Sequence, residues 1–375
     1  MNSLKNWCKK NKNFITIIAL VIITRLLILA IAYFSSIKIK FQGYVFHGSF
    51  LDLFNRYDAP YYIKIALEGY EYNLEKFSEI NFFPLYSILI RILNFIIGNL
   101  IGGPKIIGYL ISNISLAIAA IYFYKLARLD FNKDISMRSV FYMLIFPTSF
   151  YFSIIYTEGL FLLLTISAFY YARKKQWLIA SMLGFFVSLT RIVGVFIFIP
   201  FLIEYFDLNF NSLKLSFKKI KKDILYLLLI PAGLLSFTLY QYFRFNDSLA
   251  FYHAKSVLNI NYSLFTETIF SLEKYPLFDR IMFLGFLIFA IIMIIYLYFS
   301  EVRLSYIVYS IVLLFLYLST GKIEAIHRYV SVLFPIYIGM SLSSRNKIPG
   351  YIYLLISISL LTFFVILFVN RYSFY

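Results

Sequence analysis

The sequence predicts an all-α, polytopic membrane protein that forms one domain over residues 1–375, and two observations carry this prediction. The chain is 61% hydrophobic and only 14% of its residues are charged, whereas about a quarter of the residues in a soluble domain are charged. Apolar runs close to the ~20 residues that cross the hydrocarbon of a bilayer recur along the chain. We expect no large soluble domain between them.

The first apolar run, residues 14 to 36, is too long for the core of a signal peptide and is followed by Lys38 and Lys40 rather than by a small-residue cleavage site. We therefore expect it to remain as an anchor. In all we predict about eleven transmembrane helices. Their predicted bounds are 14 to 36, 81 to 101, 106 to 124, 153 to 172, 177 to 189, 192 to 206, 224 to 243, 279 to 299, 304 to 320, 329 to 343 and 350 to 369.

The formal net charge is +17, and the lysines that produce it lie beside the apolar runs. Because cytoplasmic segments are enriched in Lys and Arg, residues 1–13 and the lysine-rich loop 207–223 are predicted to be cytoplasmic. Residues 37–80 then form a first outer loop and residues 244–278 a second large outer loop. The chain lacks a basic module interleaved with aromatic residues, so no nucleic-acid partner is predicted.

One segment does not fit a simple alternation of spans. Residues 139–172 are too long for one span, and Pro147 interrupts them. We predict that residues 139–152 form a half-inserted helix on the outer side and that residues 153–172 cross the membrane. This interpretation places loop 125–138 on the outer side.

The sequence predicts no metal or nucleotide cofactor. Cys8 is the only cysteine, and the three histidines form no HExxH pattern. Neither a GxxxxGK[ST] nor a GxGxxG loop is present. The outer loops also lack a tight acidic cluster such as DxD.

Four features fall on the outer side in this topology: Asp58 in the first outer loop, Thr157 with Glu158, Arg191, and Arg328. Arginine binds phosphate through a planar fork and stays charged when partly desolvated. A carboxylate beside it can take a proton from a hydroxyl. The combination indicates an anionic, lipid-linked substrate. A short amphipathic helix over residues 61–67 is predicted to hold Asp58 at the membrane interface.

Each feature also has a purely structural interpretation. Asp58 alone is typical of a solvated loop acid or a helix cap. Arg191 and Arg328 alone are typical of side chains that reach lipid headgroups, and Glu158 of a partner for an arginine. Arg25 and Arg91 lie nearer the middle of predicted spans, where a charge needs a partner or water.

Two stretches carry a family resemblance. The run "RYDAPYYIKIALEGY" followed by "NFFPLYSILIRIL", and the later "YTEGLFL" and "LTRIVGV", resemble the signature of the GPI mannosyltransferase II (PIG-V) family over roughly residues 50 to 205. The resemblance implies a GT-C glycosyltransferase that takes a sugar from a polyprenyl-phosphate donor at the outer or lumenal face. Tyr57, Tyr61, Pro60 and Ser87 depart from the family pattern, which puts acceptor specificity in question.

On this resemblance Asp58 is expected to be the catalytic base of an inverting transfer to a hydroxyl of a lipid-linked or cell-surface glycan or glycolipid, and the family implies mannose as the sugar. The residues expected to bind the donor phosphate are Arg328, Arg191 and His327. Those expected to contact substrates are Arg56, Tyr57, Tyr61, Tyr62, Tyr156, Thr157 and Glu158. The membrane would be the plasma membrane of a prokaryote or the endoplasmic reticulum of a eukaryote. A lipid-linked sugar transporter or flippase and a non-catalytic membrane subunit are the alternatives.

Overall fold

The computed structural model describes residues 11–39, 52–73, 77–209, 221–254, 265–320 and 323–370. Residues 1–10 of the first predicted cytoplasmic segment lie outside these ranges, as do residues 210–220 of the lysine-rich loop and parts of both predicted outer loops. The α-helices in the described ranges are α1 (Lys12–Lys38), α2 (Ala59–Glu68), α3 (Pro84–Ile101), α4 (Pro104–Ala127), α5 (Lys133–Ile145), α6 (Glu158–Arg173), α7 (Trp177–Thr190), α8 (Phe198–Phe206), α9 (Leu229–Phe245), α10 (Ala250–His253), α11 (Phe265–Phe270), α12 (Leu277–Phe299), α13 (Leu304–Leu318), α14 (Ile326–Ser331), α15 (Pro335–Ser343) and α16 (Lys347–Val369).

Short 3₁₀ helices connect or extend several of these elements, at Glu79–Asn81, Ser149–Phe152, Ile192–Ile197, Lys222–Leu228 and Ser271–Lys274. The all-helical prediction is confirmed for the described residues. By length and composition six helical segments are candidates to cross a membrane, namely α1, α3, α4, Lys222–Phe245, α12 and α16. Shorter apolar segments are α7, Ile192–Phe206 and α13. The predicted count of eleven spans is not confirmed.

The helices define two ends of the bundle. Helix α6 begins at Glu158, beside Asp58, and its 16 residues rise about 24 Å to Arg173. We call the end that contains Asp58 and Glu158 the site end, and the end that contains Arg173 the far end. Asp130, in the turn after α4, accepts a 2.8 Å hydrogen bond from Arg173. That turn therefore lies at the far end.

The prediction that loop 125–138 lies on the same side as Asp58 is wrong. It assumed that segment 106–124 runs towards the outer side, whereas α4 runs in the opposite direction. At its start Lys105 pairs with Asp52 of the first outer loop at 2.6 Å. Near its end Tyr124 accepts a 3.0 Å hydrogen bond from Asn13, at the beginning of α1.

Residues 139–152 do not form a half-inserted helix that starts from the outer side. Helix α5 begins at Lys133 at the far end, where the Asn132 side chain caps it by accepting a 3.0 Å hydrogen bond from the amide of Ile135. It ends at Ile145, because Phe146 precedes Pro147 and has the extended backbone that a following proline favours. The chain then reaches the site end through the 3₁₀ helix Ser149–Phe152.

Ion pairs join four segments at the far end. The participants, which we call the far-end cluster, are Asp130, Arg173, Glu204 and Arg303. Glu204 is also the acceptor of a 2.5 Å hydrogen bond from Ser305. Helices α6, α8 and α13 meet at this cluster. The cluster therefore holds their far ends together, and the opposite ends of the same segments contribute to the site.

The structure supplies partners for the two arginines within apolar helices. Arg25 of α1 donates hydrogen bonds to the carbonyls of Ser149, at 2.7 Å, and Leu144. These carbonyls belong to the irregular segment around Pro147, so Arg25 satisfies backbone groups that the broken helix leaves open. Arg91 of α3 is exposed and donates to the carbonyl of Leu67 at 3.3 Å.

Candidate active site

A strained turn presents the Asp58 carboxylate to the site end. Tyr57 has a left-handed backbone with φ 54°, which is uncommon for a bulky residue, and its ring packs on Phe368 of α16 at 5.2 Å between centroids. Asp58 occupies the N-cap position of α2, with Pro60 in the first turn, but its side chain makes no capping hydrogen bond. The structure therefore contradicts the helix-cap interpretation of Asp58, and the carboxylate is available to other partners.

Asp58, Arg328, Glu158 and Arg191 form a continuous chain of alternating charges. Arg328 Nη1 donates to Asp58 Oδ2 at 2.7 Å. Its Nε and Nη2 lie 2.9 Å and 2.8 Å from Glu158 Oε1, and Arg191 Nη1 lies 3.2 Å from the same oxygen. The structure thus brings together the acid and the two arginines on which the sequence hypothesis depends.

Glu158 contacts both arginines but does not itself line the cavity described below. It is fully buried, and as the first residue of α6 it places a negative charge at a helix N-terminus, where the helix dipole favours it. Its Oε1 contacts both guanidinium groups, while Oε2 has no hydrogen-bond partner among the described residues. The structural interpretation of Glu158, as a partner for arginine, is correct.

Both arginines are held in their charged form. Burial lowers the pKa of the Arg328 guanidinium, but the negative charges of Glu158 and Asp58 outweigh burial and raise that pKa well above its ordinary value. Burial likewise opposes the charge of Arg191, and the carboxylate of Glu158 raises the Arg191 pKa above its ordinary value. The site therefore presents permanent positive charge to an anion.

Two glycines permit the close backbone contacts that set this geometry. A Cβ on Gly159 would lie 2.6 Å from the carbonyl oxygen of Phe152. A Cβ on Gly194 would lie 2.3 Å from the carbonyl oxygen of Val187. Only glycine fits at these approaches, so the glycines of "YTEG" and "TRIVG" fix how the segments of Glu158 and Arg191 pack.

Aromatic rings support the Arg328 guanidinium. Its Cζ lies 4.5 Å from the ring centroid of Tyr156 and 5.2 Å from that of Tyr151, which are favourable cation–π distances. The Tyr156 hydroxyl accepts a 3.2 Å hydrogen bond from the amide of Asp58 and donates to the carbonyl of Arg56 at 3.3 Å. Tyr156 thus connects the segment that carries the acid to the arginine.

His327 precedes Arg328 but is buried, with 2% of its surface exposed. Burial, and secondarily the charge of Arg328, lowers the pKa of His327 to about 3. The ring is therefore neutral near neutral pH. Its Nε2 lies 3.2 Å from the Tyr151 hydroxyl.

A cavity of about 580 Å³ opens at the site end beside the charged groups. Five of the predicted site residues line it: Asp58, Tyr62, Thr157, Arg191 and Arg328. The remaining six predicted residues are not among its lining residues: Arg56, Tyr57, Tyr61, Tyr156, Glu158 and His327. Arg56, for example, donates to the carbonyl of Leu53 at 3.0 Å, and Tyr61 packs against Phe82.

Sequence reasoning missed much of the cavity wall. Additional lining residues with polar side-chain groups are Asn81, Thr190, Tyr252, Tyr317, Thr320, Glu324 and Tyr329. The rings of Tyr317 and Tyr329 stack at 3.8 Å with an interplanar angle of 6°. The closeness of Glu324 to Arg328 in "EAIHR" is the one sequence signal that could have indicated this wall, and it was not used. Leu249, Phe251 and Tyr252 belong to the predicted second outer loop, so that loop also contributes to the cavity.

The residue types at the cavity offer anion-binding and acid–base chemistry rather than a recognisable metal site. Among the residues that the structure describes, no group of three or more His, Cys, Asp or Glu side chains is positioned to hold a metal ion. The charged pair Asp58 and Arg328 and the neighbouring Arg191 are the groups that can act on a substrate.

The fold and the site define a helical membrane protein with a cavity that contains an acid and two arginines at one end of its bundle. The family model described as mannosyltransferase (PIG-V) matches residues 40–302. The chain belongs to that family. With its long apolar helices, this membership makes it an integral membrane protein. Among curated proteins none matches the chain.

The chain is also similar to solved structures of the oligosaccharyltransferase of Archaeoglobus fulgidus. The structure tethered to an acceptor peptide with an NVT sequon has a TM-score of 0.48 and 14% identity, covering 98% of this chain and 56% of that one. The complex of this archaeal oligosaccharyltransferase, AglB, with an inhibitory peptide and a dolichol-phosphate has a TM-score of 0.43 and 15% identity, covering 94% and 56%. This chain spans about half the length of each.

Proposed function

We propose that this protein transfers a sugar, mannose by family membership, from a polyprenyl-phosphate donor to a hydroxyl of a glycan or glycolipid, with inversion at the anomeric carbon. The observation that carries the proposal is the 2.7 Å contact between Asp58 and Arg328 in the wall of one cavity. It supports the proposal because a carboxylate that can act as a base lies next to a guanidinium that can bind phosphate. The GT-C mode of reaction is what the family resemblance implies.

The reaction needs one base and no general acid. The acceptor oxygen attacks the anomeric carbon and the bond from that carbon to the phosphate oxygen breaks, so the leaving group departs as a stable phosphate anion. Asp58 accepts the proton of the acceptor hydroxyl. Attack from the side opposite the phosphate inverts the anomeric configuration. Glycosidases, by contrast, use two carboxylates because their leaving group must be protonated.

Arg328 has donors left for the phosphate. A guanidinium carries five N–H groups, and the contacts to Asp58 and Glu158 use three of its nitrogens, Nη1, Nε and Nη2, once each. One further N–H therefore remains on each Nη. Through these N–H groups Arg328, together with Arg191, can bind the departing phosphate and stabilise the negative charge that develops on it.

The remaining walls suit a lipid-linked substrate. Apolar side chains dominate them, including Phe82, Phe83, Ile192, Val193 and Phe196. An isoprenoid chain can lie against such surfaces while its phosphate reaches the arginines. We propose that the site faces the outer or lumenal side of the membrane, with its charged groups at headgroup depth.

We propose that the reaction requires no metal ion, because the two arginines supply the positive charge that a metal would bring to the phosphate. The test is a transfer assay with and without EDTA. Equal rates are expected, and loss of activity that Mg²⁺ or Mn²⁺ restores would contradict this part of the proposal.

The whole proposal is tested with purified protein in detergent, polyprenyl-phosphate mannose and octyl glycosides as acceptors. We expect a glycosylated product with inverted anomeric configuration, identified by mass spectrometry and NMR. A transporter or flippase would instead move the donor across liposomes without forming product. That result would overturn the proposal.

A further inference from the structure

The cavity contains a second carboxylate that the mechanism does not use. Among its described lining residues, Asp58 and Glu324 are the two acidic ones. Glu324 Oε1 accepts a 2.5 Å hydrogen bond from the hydroxyl of Tyr275. Tyr275 belongs to the second outer loop, directly before α12. One carboxylate oxygen of Glu324 is thus held by a residue of this loop.

The backbone around Glu324 is also held in place. Two residues after Glu324 helix α14 begins, and the carbonyl of its second residue, His327, accepts a 3.0 Å hydrogen bond from Thr148. Arg328 follows His327 in the same short helix. The contacts of Tyr275 with Glu324 and of Thr148 with His327 therefore restrain the position of Glu324 relative to Arg328.

The cavity wall carries side chains of both charge signs. Arg191 and Arg328 attract the donor phosphate, whereas the carboxylate of Glu324 repels it. An ionised carboxylate only accepts hydrogen bonds, so its natural partners are O–H groups, and charge-assisted bonds of this kind are the stronger ones. A chain of sugar hydroxyls fits this preference.

We propose that Glu324 is the centre of an acceptor subsite, in which its carboxylate binds hydroxyl groups of a polyhydroxylated glycan acceptor and Tyr275 positions that carboxylate. The inference rests on the proposed function and adds to it which wall of the cavity receives the acceptor. Asp58 remains the base, because it is the carboxylate paired with the phosphate-binding arginine.

The test compares Glu324→Gln with the wild-type protein, using polyprenyl-phosphate mannose as donor and octyl glycosides as acceptors. The amide keeps the shape of the side chain but removes the charge. We expect the acceptor KM to rise on the order of tenfold or more, with donor KM and kcat close to those of the wild type. Tyr275→Phe, which loses only the hydroxyl, should raise the acceptor KM by a smaller factor.

Three results would overturn the inference while the proposed function stands: an unchanged acceptor KM, a loss confined to kcat, or an equal rise in the KM of donor and acceptor. Lack of transfer by the wild-type protein would instead contradict the proposed function. Glu324→Asp provides a second variant in case Glu324→Gln fails to fold. It keeps the charge and should recover part of the acceptor affinity.

Discussion

The Asp58 carboxylate and the Arg328 guanidinium lie 2.7 Å apart although 270 residues separate them in the chain. This contact joins the start of α2 to the start of α14, and Glu158 extends it to Arg191. The proposed base and the proposed phosphate-binding group therefore form one charged unit. Substitutions at each member are expected to affect different steps of the reaction.

Asp58→Asn should lower kcat by about 10²- to 10⁴-fold, the usual contribution of a general base. The amide oxygen can still accept a hydrogen bond from Arg328, so the protein should insert and unfold like the wild type. The measurement is the transfer rate at saturating donor and acceptor, together with thermal unfolding in detergent.

Asp52→Asn is the matched control for this substitution. Asp52 lies in the same loop and pairs with Lys105 at 2.6 Å, but it is not among the residues that line the cavity. We expect its kcat to be close to that of the wild type. Normal turnover by Asp58→Asn would remove the proposed base.

Arg328→Lys should weaken donor use more than acceptor use. A lysine ammonium cannot reproduce the fork that contacts Asp58 and Glu158 at once, so we expect the donor KM to rise about tenfold or more. Kinetics with varied donor and varied acceptor measure the two effects.

Arg138→Lys is the control, because Arg138 donates to the carbonyl of Ser344 at the far end. Equal losses for both substrates would contradict the assignment of Arg328.

The sequence predicted the fold class and the core of the site because these depend on local or chemical signals. Apolar runs reveal helices, and the helix predicted over residues 61–67 is confirmed as Ala59–Glu68. The acidic residues and arginines at the ends of apolar segments indicated that their charged side chains would lie close together in the fold. The direction of α4 was predicted wrongly, because the number of spans assigned before it outweighed the charge signal. Loop 125–138 carries four basic and two acidic residues, a bias that is typical of the cytoplasmic side.

The roles of individual site residues also required the structure. Tyr156 and Glu158 lie two positions apart in a motif that suggested substrate contact. In the structure both contact the Arg328 guanidinium, and neither lines the cavity. The cavity residue Glu324 was missed because a single acid in a loop carries no pattern of its own. Its significance depends on Tyr275, nearly 50 residues away, which no periodicity connects to it.

Glu158→Gln should destabilise the protein by about 3–5 kcal/mol, because it leaves two buried guanidinium groups without their shared carboxylate. The double variant Glu158→Gln with Arg191→Gln should recover part of this loss, since it removes one of the two like charges. A double-mutant cycle on unfolding free energy is expected to give a coupling of about 1–3 kcal/mol. Additive effects would show that Glu158 does not hold the two arginines together.

Stability should fall as the pH drops below 6.5, in part because of His327. Its folded-state pKa is lowered to about 3 from the ordinary 6.5. Between pH 3 and pH 6.5 the His327 ring is protonated in the unfolded chain but remains neutral in the folded protein. The contribution of His327 to stability is therefore complete above pH 6.5 and declines towards pH 3, by up to ~1.4 kcal/mol per pH unit.

The check is the unfolding temperature in detergent as a function of pH, for the wild type and for His327→Gln. Glutamine takes up no proton, so its curve should decline less steeply over this window even if the variant is less stable overall. His253→Gln is the control, because His253 is half-exposed and lies 2.8 Å from Asp247. Parallel curves for the wild type and His327→Gln would mean that the His327 ring is not held neutral in the folded protein. The burial of this ring next to Arg328 would then need another explanation.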